Sequence, residues 1–303
     1  MHEIDRIIEA AKRMKRGIVA TIVATSGSTY RRPAARAVIS EDGQAVGTIS
    51  GGCLEKDLAA RCTEWLADMK PRVITYDSSR EDDIVFGLGL GCRGVIDVHI
   101  EPFDAEHPPR LVREFRWSGR EPVMWETSID GRLLLVESIH PSRTLAIFGG
   151  GPDVEPLARI AEQVGFVVAR FAPRDLHPEK VRDSVDLTQF DAAVVMTHNY
   201  LYDQVLLETL LTTAIPYIGL LGPKSRGEEL LRSVAPATSA AVAGEGAGPT
   251  LHTPIGLDLG GETPEQIALS IVAEIEAVLN RRSGRHLREL DGPLHVRPSV
   301  PCR

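Results

Sequence analysis

A chain of 303 residues and 33.0 kDa, 43% hydrophobic and 25% charged, has the length for about two domains at roughly 150 residues each and too much apolar content for wholesale disorder. Its net charge of -8 and pI near 5.6 set the long-range field against phosphate backbones, which disfavours general nucleic-acid or anionic-membrane binding and makes any anion site local. Four cysteines, Cys53, Cys62, Cys92 and Cys302, are too sparse for a disulfide framework and lack the spacing of a structural zinc site. No apolar run reaches the roughly 18 residues of a membrane span and the N-terminus is charged throughout, so no membrane span is expected and a reducing cytoplasm is the expected location.

Ile4, Ile7, Ile8, Ala11 and Met14 recur at helical steps and stop before Gly17. Short β-branched segments follow over 17–26, 35–42 and 44–50, then a helix with Leu54, Leu58, Cys62, Trp65, Leu66 and Met69 on one face, ended by Pro71. Two more strands, 72–78 and 95–103, enclose the glycine-rich loop 86–94, which completes a small α+β domain over 1–104. Residues 105–142 read as a connector with a hairpin turning at Asp130-Gly131. Over 143–282 apolar strands alternate with amphipathic helices, the pattern of a Rossmann-like doubly wound parallel sheet. The chain is therefore α/β as a whole, with a Gly/Ala/Pro-rich flexible loop at 233–250 and a mobile tail over 283–303.

Five segments could carry chemistry. Gly149-Gly150-Gly151 stands between a strand and a helix, where bare backbone amides can meet a phosphate. Val154 replaces the third glycine of the dinucleotide fingerprint, and Ala172-Pro173-Arg174 offers no acid for a ribose hydroxyl, so NAD(P) is not expected and Arg174 is a candidate phosphate contact. The run from Gly27 to Arg36 places Arg31, Arg32 and Arg36 beside Ser28, a set that can hold an oxyanion; a solvated basic turn is the competing reading. Cys53 follows two glycines at a helix start, and Cys92 sits in Gly-Leu-Gly-Leu-Gly-Cys-Arg-Gly, placements that favour thiolates. Cys62 faces a core. His198 and Asn199 emerge after a parallel strand, at the edge where such sheets bind ligands, with a loop histidine capping a backbone carbonyl as the competing reading, and Asp203 could equally be a helix N-cap. No catalytic triad, P-loop or metal-binding helix is present in the sequence.

ATIVATSGSTYRRPAA, GTISGGCLEKDL and GLGLGCRG in the first half, with IFGGGPDVEPLARIAEQVGF, VVMTHNYLYD, YIGLLGPKSR and PIGLDLGGETPEQIALSIVAEI in the second, resemble the XdhC/CoxI family over residues 1 to about 280. The resemblance implies a chaperone that binds the molybdenum cofactor (molybdopterin) as cargo, protects and promotes its sulfuration, and inserts it into an apo-molybdenum hydroxylase of the xanthine dehydrogenase type. It implies a cysteine desulfurase as second partner and leaves room for a homodimer. Soft thiols at Cys53 and Cys92 suit molybdenum or its terminal sulfur, and Ser28, Arg31, Arg32, Arg36, Gly149, Gly151, Arg174 and His198 suit the pterin phosphate. Departures from the family pattern are Ala34 for a glycine, Arg93 for a glycine, Pro152 for a histidine, and Ala172 for the acid that a dinucleotide site needs. Two other readings compete: a nucleotide-dependent oxidoreductase using Gly149, Gly151 and Arg174, and a pure interaction protein. Each half carries an incomplete set, thiols and arginines in the first and a nucleotide-type turn in the second, so the two are expected to act together.

Overall fold

A computed structural model describes residues 2–77, 94–234 and 250–290. It divides the chain into two units, Met1–Pro141 and Ser142–Arg303. Cys92, Cys302, most of the 233–250 loop and the end of the tail lie outside the described residues.

In the first unit α1 (Glu3–Arg13) buries Ile4, Ile7, Ala10 and Ala11. The strands β1 (Arg16–Gly27), β2 (Arg36–Ser40), β3 (Ala45–Gly47), β4 (Arg72–Asp77) and β5 (Gly94–Asp104) form one antiparallel sheet in the order β3-β2-β1-β5-β4. Strand alternation sends Ile18, Ala20 and Ile22 to one face, against Leu54, Leu58, Cys62, Trp65 and Leu66 of α2 (Cys53–Asp68). Val19, Val38 and Phe103 face the other way, into a second core with α1, α3 (Arg110–Glu114) and the hairpin β6 (Val123–Ile129) and β7 (Arg132–Ile139). Asp130 and Gly131 both have positive φ, 49° and 77°, the backbone that a two-residue hairpin turn requires. The segment expected as a connector thus packs into this unit through Leu111, Phe115, Trp125 and Ile139.

The second unit runs β8 (Thr144–Phe148), α4 (Val154–Val164), β9 (Val167–Phe171), α5 (Val181–Ser184), β10 (Ala192–Val195), α6 (Tyr200–Leu210), β11 (Tyr217–Leu220), α7 (Lys224–Ser233), β12 (Thr250–His252) and α8 (Pro264–Leu279). All pairings in its sheet are parallel, in the order β12-β11-β10-β8-β9. Leu145 and Ile147 pack towards α4 and α8, whereas Ala146 and Phe148 pack towards α5, α6 and α7, so helices cover both faces as the sequence alternation predicts. β9 lies on one side of β8, and the chain then crosses back to place β10 on the other. Loops leaving the carboxyl ends of β8 and β10 therefore diverge, and that fork is where this sheet order opens a ligand crevice.

Candidate functional site

The end of the antiparallel sheet where β1 stops and β2 and β5 begin gathers the first group of candidates. Gly27 pairs with Gly94, and Ala37 with Gly47, so the arginine loop, the turn after β3 and the flanks of the glycine-rich loop share one edge. A Cβ on Gly51 would stand 3.5 Å from the Tyr30 ring, which places the arginine loop against the turn that leads into Cys53. Cys53 is the first residue of α2 and is partly exposed.

Glu55 builds that turn. Its carboxylate accepts from the Thr48 hydroxyl at 2.7 Å, the Ile49 amide at 2.6 Å, the Ser50 amide at 3.0 Å, the Gly52 amide at 2.9 Å and the Ser50 hydroxyl. Burial pushes the Glu55 carboxyl up, but hydrogen bonds from Ser50, Ile49 and Thr48 outweigh it and bring it down to about 2. Gly51 and Gly52, at φ 79° and 118°, supply the left-handed backbone that wraps the loop around this carboxylate.

The arginines have different fates. Arg31 donates to both oxygens of Glu3, at 2.8 and 3.0 Å, in a pair still open to solvent. Arg36 is buried: its guanidinium takes both oxygens of Glu137 on β7 and the Ala34 carbonyl at 2.9 Å, beneath the hairpin. Ser28 and Arg32 are exposed. The edge therefore presents Ser28, Arg31, Arg32 and the Cys53 thiol, while the donors of Arg36 serve the hairpin. Cys62 lies fully buried in the core, and burial, helped by the nearby Glu41 charge, pushes its thiol up to about 11.

At the fork of the parallel sheet, Gly149 passes so close to β10 that a Cβ would meet the Met196 carbonyl at 2.6 Å. His198, at the carboxyl end of β10, has φ 58° and points its Nε2 at Asp153 Oδ2, 2.9 Å away, with its ring 56% exposed. Gly151 lies against both, since a Cβ there would stand 2.6 Å from Asp153 Oδ1 and 3.3 Å from the His198 ring. Asn199, rather than Asp203, caps α6 by accepting from the Leu201 and Tyr202 amides. Asp203 is buried within the helix, where it accepts from Thr197 and pairs with Arg226 of α7 and so braces the loop from beneath. Ala172 and Pro173 lie 3.6 and 3.7 Å from a Cβ built on Gly150. Arg174 follows them at the same edge, 85% exposed and 3.5 Å from Asp175.

Sequence reasoning thus named Gly149, Gly151 and His198, which the fold brings together, but missed Asp153. Only the pairing of β8 with β10 brings that acid beside His198, and no local signal reports it. Glu55 had a signal in its position three residues after Gly52, the spacing of a capping box. Among the described residues no group of three or more His, Cys, Asp or Glu side chains is arranged to hold a metal ion, and no helix is long and apolar enough to cross a membrane.

Taken together, these features define an α/β protein of two units, with a thiol and arginines at one end of the antiparallel sheet in the first and a glycine turn with a histidine at the carboxyl edge of the parallel sheet in the second. Residues 10–77 match the XdhC and CoxI family and residues 145–275 match the XdhC Rossmann domain. The chain belongs to the XdhC and CoxI family. It is 30% identical to a probable xanthine dehydrogenase subunit from Bacillus subtilis, over 90% of this chain and 95% of that relative. It is 24% identical to the molybdenum cofactor insertion chaperone PaoD of Escherichia coli, over 71% of this chain and 70% of that protein. A solved structure from Bacillus halodurans, described as a xanthine dehydrogenase, superimposes with a TM-score of 0.74 at 28% identity and covers 93% of this chain and 97% of its own.

Proposed function

We propose that this protein is an accessory factor of a xanthine-dehydrogenase-type molybdenum hydroxylase, which binds the molybdenum cofactor as cargo, promotes its sulfuration and inserts it into the apo-enzyme. Support comes from the family and from the insertion chaperone among its relatives. The observation that carries the reading is the meeting, at one sheet edge, of the partly exposed Cys53 with Ser28, Arg31 and Arg32. A thiol is a soft ligand for a sulfur-rich metal centre, and guanidinium and hydroxyl groups donate to an oxyanion. Cys92 is the second proposed metal contact. Gly149, Gly151, Arg174 and His198 form the proposed phosphate anchor at the fork of the parallel sheet, where Ala172 in place of an acid argues against NAD(P). A cysteine desulfurase as sulfur donor belongs to the same reading.

The test is mass spectrometry of pterin and molybdenum released from the full chain purified from a molybdate-fed host. Stoichiometric molybdopterin is expected, with the molybdenum-to-pterin ratio reduced in Cys53→Ala. A chain that carries no pterin, yet binds NADH tightly, would replace this reading with the oxidoreductase one.

A further inference from the structure

We infer that Tyr30 is the platform on which the flat pterin ring of the cargo stacks, so that the Cys53 edge holds the heterocycle of the cofactor as well as its metal. This rests on reading that edge as the cofactor site. Of the phenylalanine, tyrosine and tryptophan side chains among the described residues, only Tyr30 is exposed, at 64%. A single exposed apolar side chain needs no explanation by itself. This one is distinguished by how it is held. Thr29 Oγ1 donates to the Arg31 carbonyl at 3.0 Å, which closes the backbone around Tyr30, and the Arg31 guanidinium is anchored to both oxygens of Glu3 on α1. On the other side of the loop, β5 begins so close that a Cβ on Gly94 would meet the Ser28 carbonyl at 2.5 Å. The ring leans on bare backbone, with its Cε1, Cζ and Cδ1 atoms 3.5, 3.6 and 3.8 Å from a Cβ built on Gly51. An aromatic side chain presented on a pinned loop is preorganised and gives up little freedom when a guest lies on it.

The surface beside the ring is open. Among the described residues nothing stands within 4 Å of a Cβ built on Gly52, the residue between the Tyr30 contact and the partly exposed Cys53. Ser28 and Arg32 are exposed on the loop that carries Tyr30. One loop and one turn thus present a π-face, hydroxyl and guanidinium donors, and a soft thiol. A planar heterocycle that bears an anionic group and a soft metal centre uses all three. A non-planar anion would leave the ring idle, and an apolar side chain of a protein partner, for which an exposed tyrosine is a common anchor, would leave the thiol and the donors idle. Stacking tolerates any flat ring, so Tyr30 adds affinity for the heterocycle while the donors and the thiol select what it carries.

The experiment is fluorescence titration of the full chain with pterin-6-carboxylate, a flat fluorescent anion without metal, together with measurement of the pterin that each variant carries on purification. Tyr30→Phe keeps the ring and should bind the probe within about twofold of the parent. Tyr30→Leu, apolar without a π-face, and Tyr30→Ala should bind it about tenfold more weakly and carry less pterin. The rate at which iodoacetamide labels Cys53 should be the same in Tyr30→Leu as in the parent; an altered rate would show that Tyr30 shapes the turn rather than holds the ring, and would overturn the inference. Parental affinity in Tyr30→Leu would also overturn it, while the parent's own binding would leave the cofactor site standing. So would a parent purified with pterin that does not bind the probe, because the ring would then not be what is recognised. Undiminished pterin binding with a lost complex to the apo-hydroxylase in Tyr30→Ala would assign the residue to the partner instead. A parent with neither bound pterin nor affinity for the probe would overturn both the inference and the reading on which it rests.

Discussion

Ala34 shows how a single backbone angle can expose a compromise. It sits at φ 80°, between the arginine loop and β2, in a region where a Cβ is strained and glycine is not. Replacing Ala34 with Gly relieves the strain but adds freedom to the unfolded chain, and the first effect is the larger, leaving a net gain of about 0.5–1 kcal/mol. Urea unfolding should show this as a higher midpoint at unchanged slope; a lower midpoint would mean the angle is not strained. The two described cysteines make a second contrast. Cys53 is partly exposed at the start of α2, whereas Cys62, nine residues on, is buried with its thiol pushed up to about 11. Iodoacetamide treatment of the native protein at mildly alkaline pH, followed by peptide mapping, should label Cys53 and spare Cys62. Labelling of Cys62 at the rate of Cys53 would contradict the burial.

At the scale of elements, the hairpin of β6 and β7 is fastened to the sheet by aromatic packing and by one buried ion pair, Arg36 with Glu137. Arg36, Thr21 and His99 are directly opposite one another on β2, β1 and β5, forming a buried polar row under the hairpin. Removing the carboxylate would strand the guanidinium, which in a buried pair costs about 3–5 kcal/mol. Glu137→Ala should therefore lower stability by that amount and accelerate amide exchange across β6 and β7 before the rest of the first unit. Exchange rates left unchanged in the hairpin would show that the pair does not hold it. The elements themselves were legible, because apolar residues recur at helical steps in α1 and α2, run β-branched and unbroken along the buried part of β1, and flank Asp130-Gly131 at the hairpin turn. The pairs that give those elements a purpose were not. Arg36 finds Glu137 across 101 positions and His198 finds Asp153 across 45, distances that only strand order bridges. Periodicity says that a strand exists and which face is apolar. It carries no information on whether β10 lies beside β8, so His198 could be placed at a sheet edge and its partner could not.

For the molecule as a whole, acid sensitivity follows from which buried groups resist protonation. Burial, reinforced by the Arg36 charge, holds the His99 imidazole down to about 4. The unfolded chain therefore takes up this proton more readily, so the contribution of His99 is complete above its ordinary value of 6.5 and is lost as pH falls through about 4. Glu55, brought down to about 2, contributes stability present above 4.5 and lost as pH falls through that lower value. Each shift corresponds to about 3 kcal/mol at most. Glu274 in the second unit is also lowered: burial raises it, but is outweighed by hydrogen bonds from His252, Tyr217 and the Gly256 amide, so it acts with Glu55. Glu101 is raised by burial and acts in the opposite sense, its folded form gaining protons first as the pH drops. Stability should accordingly begin to fall just below pH 6.5 on account of His99, well before the carboxylates titrate, and fall again below 4.5. Urea midpoints measured across this range separate the two phases. His99→Gln should flatten the upper phase and leave the lower one, whereas Glu55→Gln should do the reverse while lowering stability at neutral pH, because an amide cannot accept all five donors of the turn. If His99→Gln retains the full loss of stability between 6.5 and 4.5, the imidazole is not the group that couples this fold to mild acid.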